Sequence, residues 1–384
     1  MRWRLFPLLL LTIGWLAGCS VTGPHRDISG EVPAQKAAAE IPEAQLLDVW
    51  IELFDAGTLP GDKDDASGLS MDIRQAESRY MPVLLRDSME KTGYWGAVRV
   101  VPRDTEGGEV VVRGAILASD GERLELRITA LDATGREWFS RIYESAKVAA
   151  SAYQPGVQPP VEPFQSVYYT IANDLASFRD KLTVGEITTI RRVAQLRFAA
   201  DIAPDAYAGY LQHDDQGHYS ITHLPAGNDP MYRRVLAIRE RDFLLVDTLN
   251  GNFDNFYREM QQPYSDWRRT RSEEAASLHQ IEQDALDIGG FEDVHRGRGG
   301  GDHVPAAQVV AAGLYPVGQD VVAVRGDQDL LHRQAHLHGV VAAQGVAEVA
   351  AGYGEIEVPW RIAGLFLLLR ISVDIVEGLG DEPA

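Results

Sequence analysis

The feature that most constrains the fold is a series of short segments in which apolar and polar residues alternate. They lie at residues 98–101, 110–117, 124–131 and 138–143. The third is the clearest, since Leu124, Leu126 and Ile128 are separated by polar side chains. A period of two is typical of a strand with one face on a core, and the turns Asp120-Gly121 and Ala133-Thr134-Gly135 favour hairpins. The pattern predicts a small mixed or antiparallel sheet.

A further strand and a helix precede this series. Residues 45–54 alternate in the same way, and residues 72–92 have helical spacing that ends at Gly93. Pro82 lies inside the helical stretch, where it either kinks the helix or opens a second helix at its first turn. Together these elements predict an α+β domain over residues 43–150.

The chain then changes character. Residues 151–163 contain four prolines and are interpreted as a linker. Beyond it, apolar residues recur every three or four positions, which predicts a mainly helical domain over 164–286. The aromatic residues of this region, such as Tyr264 and Trp267, are assigned to a core or an interface edge rather than to a ligand pocket. The predicted fold class is therefore α+β, with a sheet-and-helix domain followed by a mainly helical one.

The N-terminus has the organisation of a signal peptide. Arg2 and Arg4 precede an apolar run of about a dozen residues, which is too short to span a bilayer comfortably. Small residues follow, and Leu16-Ala17-Gly18-Cys19 resembles the lipobox of bacterial lipoproteins. The resemblance implies that residues 1–18 are removed and that Cys19 carries the lipid. An ordinary signal peptide with an incidental cysteine is the alternative.

The resemblance also implies a location. Cys19 is the one cysteine of the chain, and Ser20 rather than an aspartate follows it, which favours the outer membrane of a Gram-negative host. Residues 19–42 are polar and rich in alanine and proline, so they are predicted to be a flexible tether. We therefore expect an outer-membrane, periplasm-facing protein that contacts membrane lipid through acylated Cys19.

The sheet-and-helix region has a resemblance of its own. A strand, a helix ending at Gly93, a strand and a meander with the sequence LELRITALDATGREW resemble the α/β domain of envelope lipoproteins, such as the curli-secretion lipoprotein and the outer-membrane activators of penicillin-binding proteins. The resemblance covers about a hundred residues and concerns the fold. No functional residue of those families has a counterpart here.

Charge and motifs restrict the function. A net charge of −20 argues against nucleic-acid binding as the main purpose. A single cysteine excludes a disulfide framework and a zinc site of the CxxC type, and its use as the lipid site excludes cysteine-based catalysis. The sequence contains no nucleophile elbow, HExxH motif, phosphate-binding loop or dinucleotide fingerprint. An enzyme is therefore less favoured than a binding protein, and no cofactor is predicted.

Two groups of histidines are candidate metal ligands. His213, His218 and His223 lie close together in the sequence beside two aspartates, within a segment interpreted as a polar loop. Mixed nitrogen and oxygen ligands suit a divalent cation, but a solvated loop has the same composition. His332, His336 and His338 have helical spacing that suits a metal, and they belong to the unusual C-terminal segment.

A cluster of arginines stands out in this acidic chain. It consists of Arg191, Arg192, Arg233, Arg234, Arg239 and Arg241. Such a patch could dock on lipid headgroups or on an acidic partner. The alternative is a solvated helix face paired with neighbouring acidic residues.

Residues 287–384 have an aberrant composition. They hold 16 Gly, 15 Val and 13 Ala but no Lys, Asn or Thr. These residue types are the ones produced when a GC-rich gene is read one base out of register. We therefore hypothesise a frameshift near residue 285, so that the tail is not a native fold. A genuine low-complexity segment or a third domain is the competing interpretation.

These observations predict a membrane-anchored envelope lipoprotein that acts as a structural, interaction or assembly factor in the periplasm. Its partners would be membrane lipid and an envelope protein or glycan. The alternative is a periplasmic metal-dependent hydrolase that uses His213, His218 and His223, or a lipoprotein that binds a small ligand or glycan.

Overall fold

The fold is known from a computed structural model that describes residues 24–58, 71–153 and 160–295. The predicted signal peptide, Cys19 and the histidines at 332, 336 and 338 lie outside these ranges, as does most of the compositionally unusual tail. Within them the chain combines one mixed sheet with helices, so the predicted α+β class is confirmed.

Six strands form the main sheet. They are β1 (His25–Ile28), β2 (Val49–Glu52), β3 (Val98–Val101), β4 (Val110–Ser119), β5 (Leu124–Asp132) and β6 (Glu137–Ser145). Their order is β1-β6-β5-β4-β2-β3. The last three strands in sequence form the antiparallel meander that the alternating pattern and glycine turns predicted, whereas β2 runs parallel to β3 and β4.

The first strand is a departure from the predicted tether over 19–42. Residues His25–Ile28 form β1, which pairs in parallel with β6 from His25↔Ile142 to Ile28↔Ser145. Three of its four residues are exposed, so the strand has no apolar period that the sequence could reveal. Its position is fixed by the free edge of β6, which lies more than a hundred residues later in the chain.

Within the described ranges, five α-helices accompany the sheet. They are α1 (Met71–Glu90), α2 (Gln165–Arg179), α3 (Val184–Ile202), α4 (Pro204–Tyr207) and α5 (Pro230–His295), with a small hairpin of β7 (Leu211–His213) and β8 (Tyr219–Ile221) before α5. Helix α1 is a single helix with Pro82 inside it. A capping box of Thr183 and Glu186 opens α3, where each satisfies a backbone N–H of the other.

The helices and the sheet share one hydrophobic core. One cluster contains inward residues of all six strands of the main sheet, such as Ile51 and Leu126, together with residues of α1, α2, α3 and α5. The predicted division into a sheet domain over 43–150 and a separate helical domain over 164–286 therefore does not describe the core. The apolar stripes of the later helices are buried against α1 and the sheet, because each amphipathic element needs a partner face.

Helix α5 crosses the whole body. Its 66 residues correspond to a length of about 100 Å. Near its start, Val246 packs with Trp50 and Val101; further on, Met260 and Trp267 enter the main core. Up to residue 281, the last α5 residue that is buried is Ser272, and residues 276–281 are exposed. The helical region that was predicted to end at residue 286 continues in this helix to His295.

The side chain of Asn250 joins α5 to the edge of the sheet. Its Oδ1 accepts a hydrogen bond from the Val100 N–H at 2.8 Å, and its Nδ2 donates to the Val100 carbonyl at 3.1 Å. In the sheet that the described residues form, β3 is an edge strand, with no strand on this side. The amide therefore satisfies the same two backbone groups that another strand would satisfy.

The far end of the sheet meets α5 at Gly121, in the turn between β4 and β5. Its φ is +90°, and a Cβ at this position would lie 2.8 Å from the Arg268 carbonyl oxygen and 2.9 Å from the Arg271 Cβ. The Tyr153 hydroxyl donates to the Gly121 carbonyl at 2.6 Å. Glycine is thus required both by backbone conformation and by the close approach of the helix.

Candidate functional site

The candidate histidines at 213, 218 and 223 lie on and beside the β7–β8 hairpin, where a polar loop was expected. His213 pairs in register with Tyr219, and their ring centroids are 4.6 Å apart. His218 lies in the turn, with Nδ1 3.3 Å from an Asp214 carboxylate oxygen. His223 follows β8 and packs over the Tyr210 ring at 3.9 Å between centroids.

These three histidines are not brought together as a ligand set. The Nδ1 of His223 contacts the Thr222 hydroxyl at 3.2 Å, so each imidazole has a different neighbour. His213 lies on β7, His218 in the turn and His223 after β8, so the hairpin directs their imidazole rings to separate places. The metal-dependent hydrolase that the sequence suggested as an alternative therefore has no assembled centre at this hairpin.

A different cluster meets the geometric requirement for a metal site. Among the described residues, the group of three possible ligands within 4.8 Å of one another is His25, Asp27 and Glu144. His25 Nε2 lies 3.1 Å from Asp27 Oδ1 and 2.9 Å from Glu144 Oε2. Sequence reasoning missed this cluster because two of its members lie in the presumed tether and the third on β6. The signal available was the spacing of His25 and Asp27, which places both on one face of a strand.

A buried polar network joins α1, the sheet and α5. The Glu77 carboxylate accepts hydrogen bonds from the Ser119 hydroxyl at 2.6 Å and from the Tyr264 hydroxyl at 2.5 Å. Arg268 is only 1% exposed; it donates to the Tyr264 hydroxyl at 2.9 Å and to the Glu162 carboxylate at 2.7 Å. The network thus connects three elements and the segment that leads into α2.

Burial perturbs the ionisation of this network. Burial raises the pKa of Glu77, and Arg74 with the two hydroxyl donors partly opposes the rise. For Arg268, burial alone would lower the pKa, but the charge of Glu162 and the neighbouring tyrosines raise it well above its usual value. The adjoining cavity, lined by Tyr80, Glu162 and other residues, is about 10 Å³. That volume holds about one water molecule, so the network fastens elements together and leaves no room for a substrate.

The arginine cluster is divided by the structure. Arg239 is buried, with its guanidinium 4.5 Å from the centroid of the Phe243 ring. Arg191 forms an ion pair with Glu109 at 3.5 Å, and burial raises the pKa of Glu109. The members that are exposed are Arg192, Arg233, Arg234 and Arg241. The patch is thus partly an internal contact between α3, α5 and the sheet.

An open cleft of about 540 Å³ lies where α5 passes the ends of β5 and β6. Its walls are formed by Glu122, Lys147 and the following two residues on one side, and by α5 residues from Ser272 to Gln283 on the other. Lys147 Nζ lies 3.4 Å from Glu122 Oε2. Six of the nine lining residues have polar side chains, and most of the nine are exposed, so the cleft is a surface for contact rather than an enclosed chamber.

None of the helices in the described part of the chain combines the length and the apolar character needed to cross a membrane. Comparisons of the chain with protein-family models, curated protein sequences and solved structures found no significant match.

Proposed function

We propose that this chain is a lipoprotein of the outer membrane, facing the periplasm, that works as a structural, interaction or assembly factor. The observation that carries the proposal is the position of the sole cysteine. Cys19 ends a lipobox-like sequence and lies six residues before a strand of the folded sheet. Acyl chains at this residue would anchor the chain firmly, since each buried CH₂ contributes about 0.8 kcal/mol. The short separation from the strand would keep the folded body close to the membrane.

The short connection determines how far the body can reach. An extended chain advances at most about 3.5 Å per residue, so the Cα atoms of Cys19 and His25 lie within about 21 Å of each other. Strand β1 is fastened to the body by its pairing with β6 and by the Arg26–Asp174 ion pair at 3.0 Å. Under this proposal, a short segment connects the lipid-bearing Cys19 to the first strand of the sheet, so the folded body stays near the lipid surface.

Helix α5 supports a role in contacting other components. We define the α5 arm as residues 273–283, which follow the buried Ser272. Leu278 is 60% exposed and Ile281 50% exposed on this arm. The two side chains are three residues apart and therefore share one face of the helix, which is the spacing of the apolar anchors of a helix that docks in a groove. The arm is held rigidly because Trp267 and Arg268 are buried in the body just before it.

The anchor is tested by labelling cells with radioactive palmitate. The wild-type chain is expected to incorporate label and to fractionate with the outer membrane. Cys19→Ser is expected to lose the label completely, because it removes the thiol that accepts the lipid. Ser20→Asp is the matched control, expected to keep the label and to change the membrane of residence. Labelling of the Cys19→Ser chain would refute the anchor.

The interaction role is tested by photocrosslinking in cells. A photoreactive residue replaces Leu278 on the α5 arm, and a second variant carries it at Arg258, an exposed position on the same helix beside the body. We expect a discrete adduct with an envelope protein or glycan from position 278 and none from position 258. Equal labelling at both positions, or no reproducible adduct at 278, would contradict the proposal.

A further inference from the structure

The outer face of the sheet carries an imidazole and two carboxylates at one point. His25 and Asp27 are two residues apart on β1 and therefore share a face. Asp27 is paired in register with Glu144 on β6. The parallel pairing thus places all three side chains side by side, although the chain separates them by more than a hundred residues.

The distances between the ligand atoms fit one metal ion. The His25 nitrogen lies 3.1 Å and 2.9 Å from the nearer oxygens of Asp27 and Glu144. For an ion about 2.1 Å from each atom, these separations correspond to angles of about 90°. Such angles are those of neighbouring positions in an octahedral shell. Three protein ligands in such a shell leave three positions for water or another ligand.

The surroundings favour a cation. Glu125 on β5 is paired in register with Glu144, so three carboxylates stand in a row across β1, β6 and β5. Like charges opposite each other destabilise a sheet, and a bound cation would offset the repulsion. The second oxygen of Glu144 accepts a hydrogen bond from Arg123 at 3.2 Å. This contact holds the carboxylate in place, as a partner behind a metal ligand does.

We propose that His25, Asp27 and Glu144 bind a first-row divalent transition metal ion in octahedral coordination. One imidazole nitrogen and two carboxylate oxygens suit Mn²⁺, Co²⁺ or Ni²⁺, and binding strengthens along that order. The site is exposed, since Asp27 is 88% exposed, so the ion would keep water ligands. The proposal is independent of the lipid anchor, because its residues all belong to the folded sheet.

The test is calorimetric titration of the full chain, purified in detergent without a histidine tag, with Ni²⁺ alone. His25→Ala and Glu144→Gln are each expected to lower the bound Ni²⁺ by one equivalent per chain. His213→Ala removes another exposed imidazole and is the matched control, expected to keep the equivalent that the other two variants lose. Counting the difference between variants keeps any nickel held elsewhere from affecting the result.

Asp27→Asn separates metal binding from folding. This side chain is so exposed that its replacement by an isosteric amide leaves the sheet unchanged, yet it removes one ligand charge. We expect a loss of affinity of at least tenfold for the same equivalent of Ni²⁺. Unchanged stoichiometry in His25→Ala and unchanged affinity in Asp27→Asn would overturn the proposal and leave the three residues as an ion-paired surface cluster.

Discussion

Replacing Asn250 with alanine is expected to lower the free energy of unfolding by about 2–4 kcal/mol. The amide makes hydrogen bonds of 2.8 and 3.1 Å to the two backbone groups of Val100, and Asn250 is 9% exposed. The alanine variant leaves both groups without that partner at the edge of β3. A buried polar group left unsatisfied costs about 1–3 kcal/mol. Two such groups would cost about 2–6 kcal/mol, and water that reaches the edge of the sheet in the variant reduces the upper value to about 4 kcal/mol.

The matched control for this prediction is Asn255→Ala. Asn255 lies on the same helix and is exposed, so its loss is expected to change stability by less than about 0.5 kcal/mol. Urea unfolding followed by tryptophan fluorescence measures both variants. Hydrogen exchange adds a local measurement, since the Val100 amide is expected to exchange faster in Asn250→Ala. Equal stability of the two variants would refute the idea that α5 closes the sheet edge through this amide.

Two further predictions concern the turn at Gly121 and the start of α3. Gly121→Ala should destabilise the protein by about 2–4 kcal/mol in the same assay. Gly30 has the same φ of +90°, but a Cβ added there would meet open space, so Gly30→Ala should cost only the backbone strain of about 1 kcal/mol. Equal costs of the two substitutions would contradict the close contact of Gly121 with α5. The Thr183 backbone N–H, its hydroxyl and Arg136 lower the pKa of Glu186 from 4.5 to about 2. The stability that Glu186 contributes is thus complete above pH 4.5 and lost as the pH falls towards 2. Nuclear magnetic resonance titration should find this pKa. Thr183→Ala keeps the backbone N–H but removes the hydroxyl, so it should raise the pKa part of the way towards 4.5; an unchanged value in the variant would contradict the contribution assigned to the hydroxyl.

The parts of the fold that were predictable depend on local information. The apolar period of Leu124, Leu126 and Ile128 and the turns at Gly121 and Gly135 lie within a few residues of each other, and the β4–β6 meander follows from them. The capping and spacing of α3 are equally local. The fold class was therefore accessible from the sequence, and the aromatic residues Tyr264 and Trp267, assigned to a core or an interface edge, are buried.

The parts that were not predictable depend on distant partners. Strand β1 has mostly exposed residues, so only the free edge of β6 makes it a strand. The shared core arises because α2 and α5 bury their apolar stripes on elements far away in the chain. The cluster of His25 and Glu144 could not be predicted from the sequence either, because its members are distant in the chain and come together only in the folded sheet. The candidate histidines at 213–223 were adjacent in sequence, yet the hairpin separates their rings.

The pairing of β1 with a strand more than a hundred residues later in the chain has a consequence for the proposed lipid anchor. Under that proposal, β6 must be exported before β1 can pair with it, and the bond that would be cut before Cys19 lies only a few residues ahead of β1. We therefore expect lipid transfer and cleavage to take place while β1 is still undocked, with the β6 edge the last part of the sheet to close. An open strand edge is a template for association with other chains. The interval between export and processing is then the stage at which this protein is most exposed to misassembly.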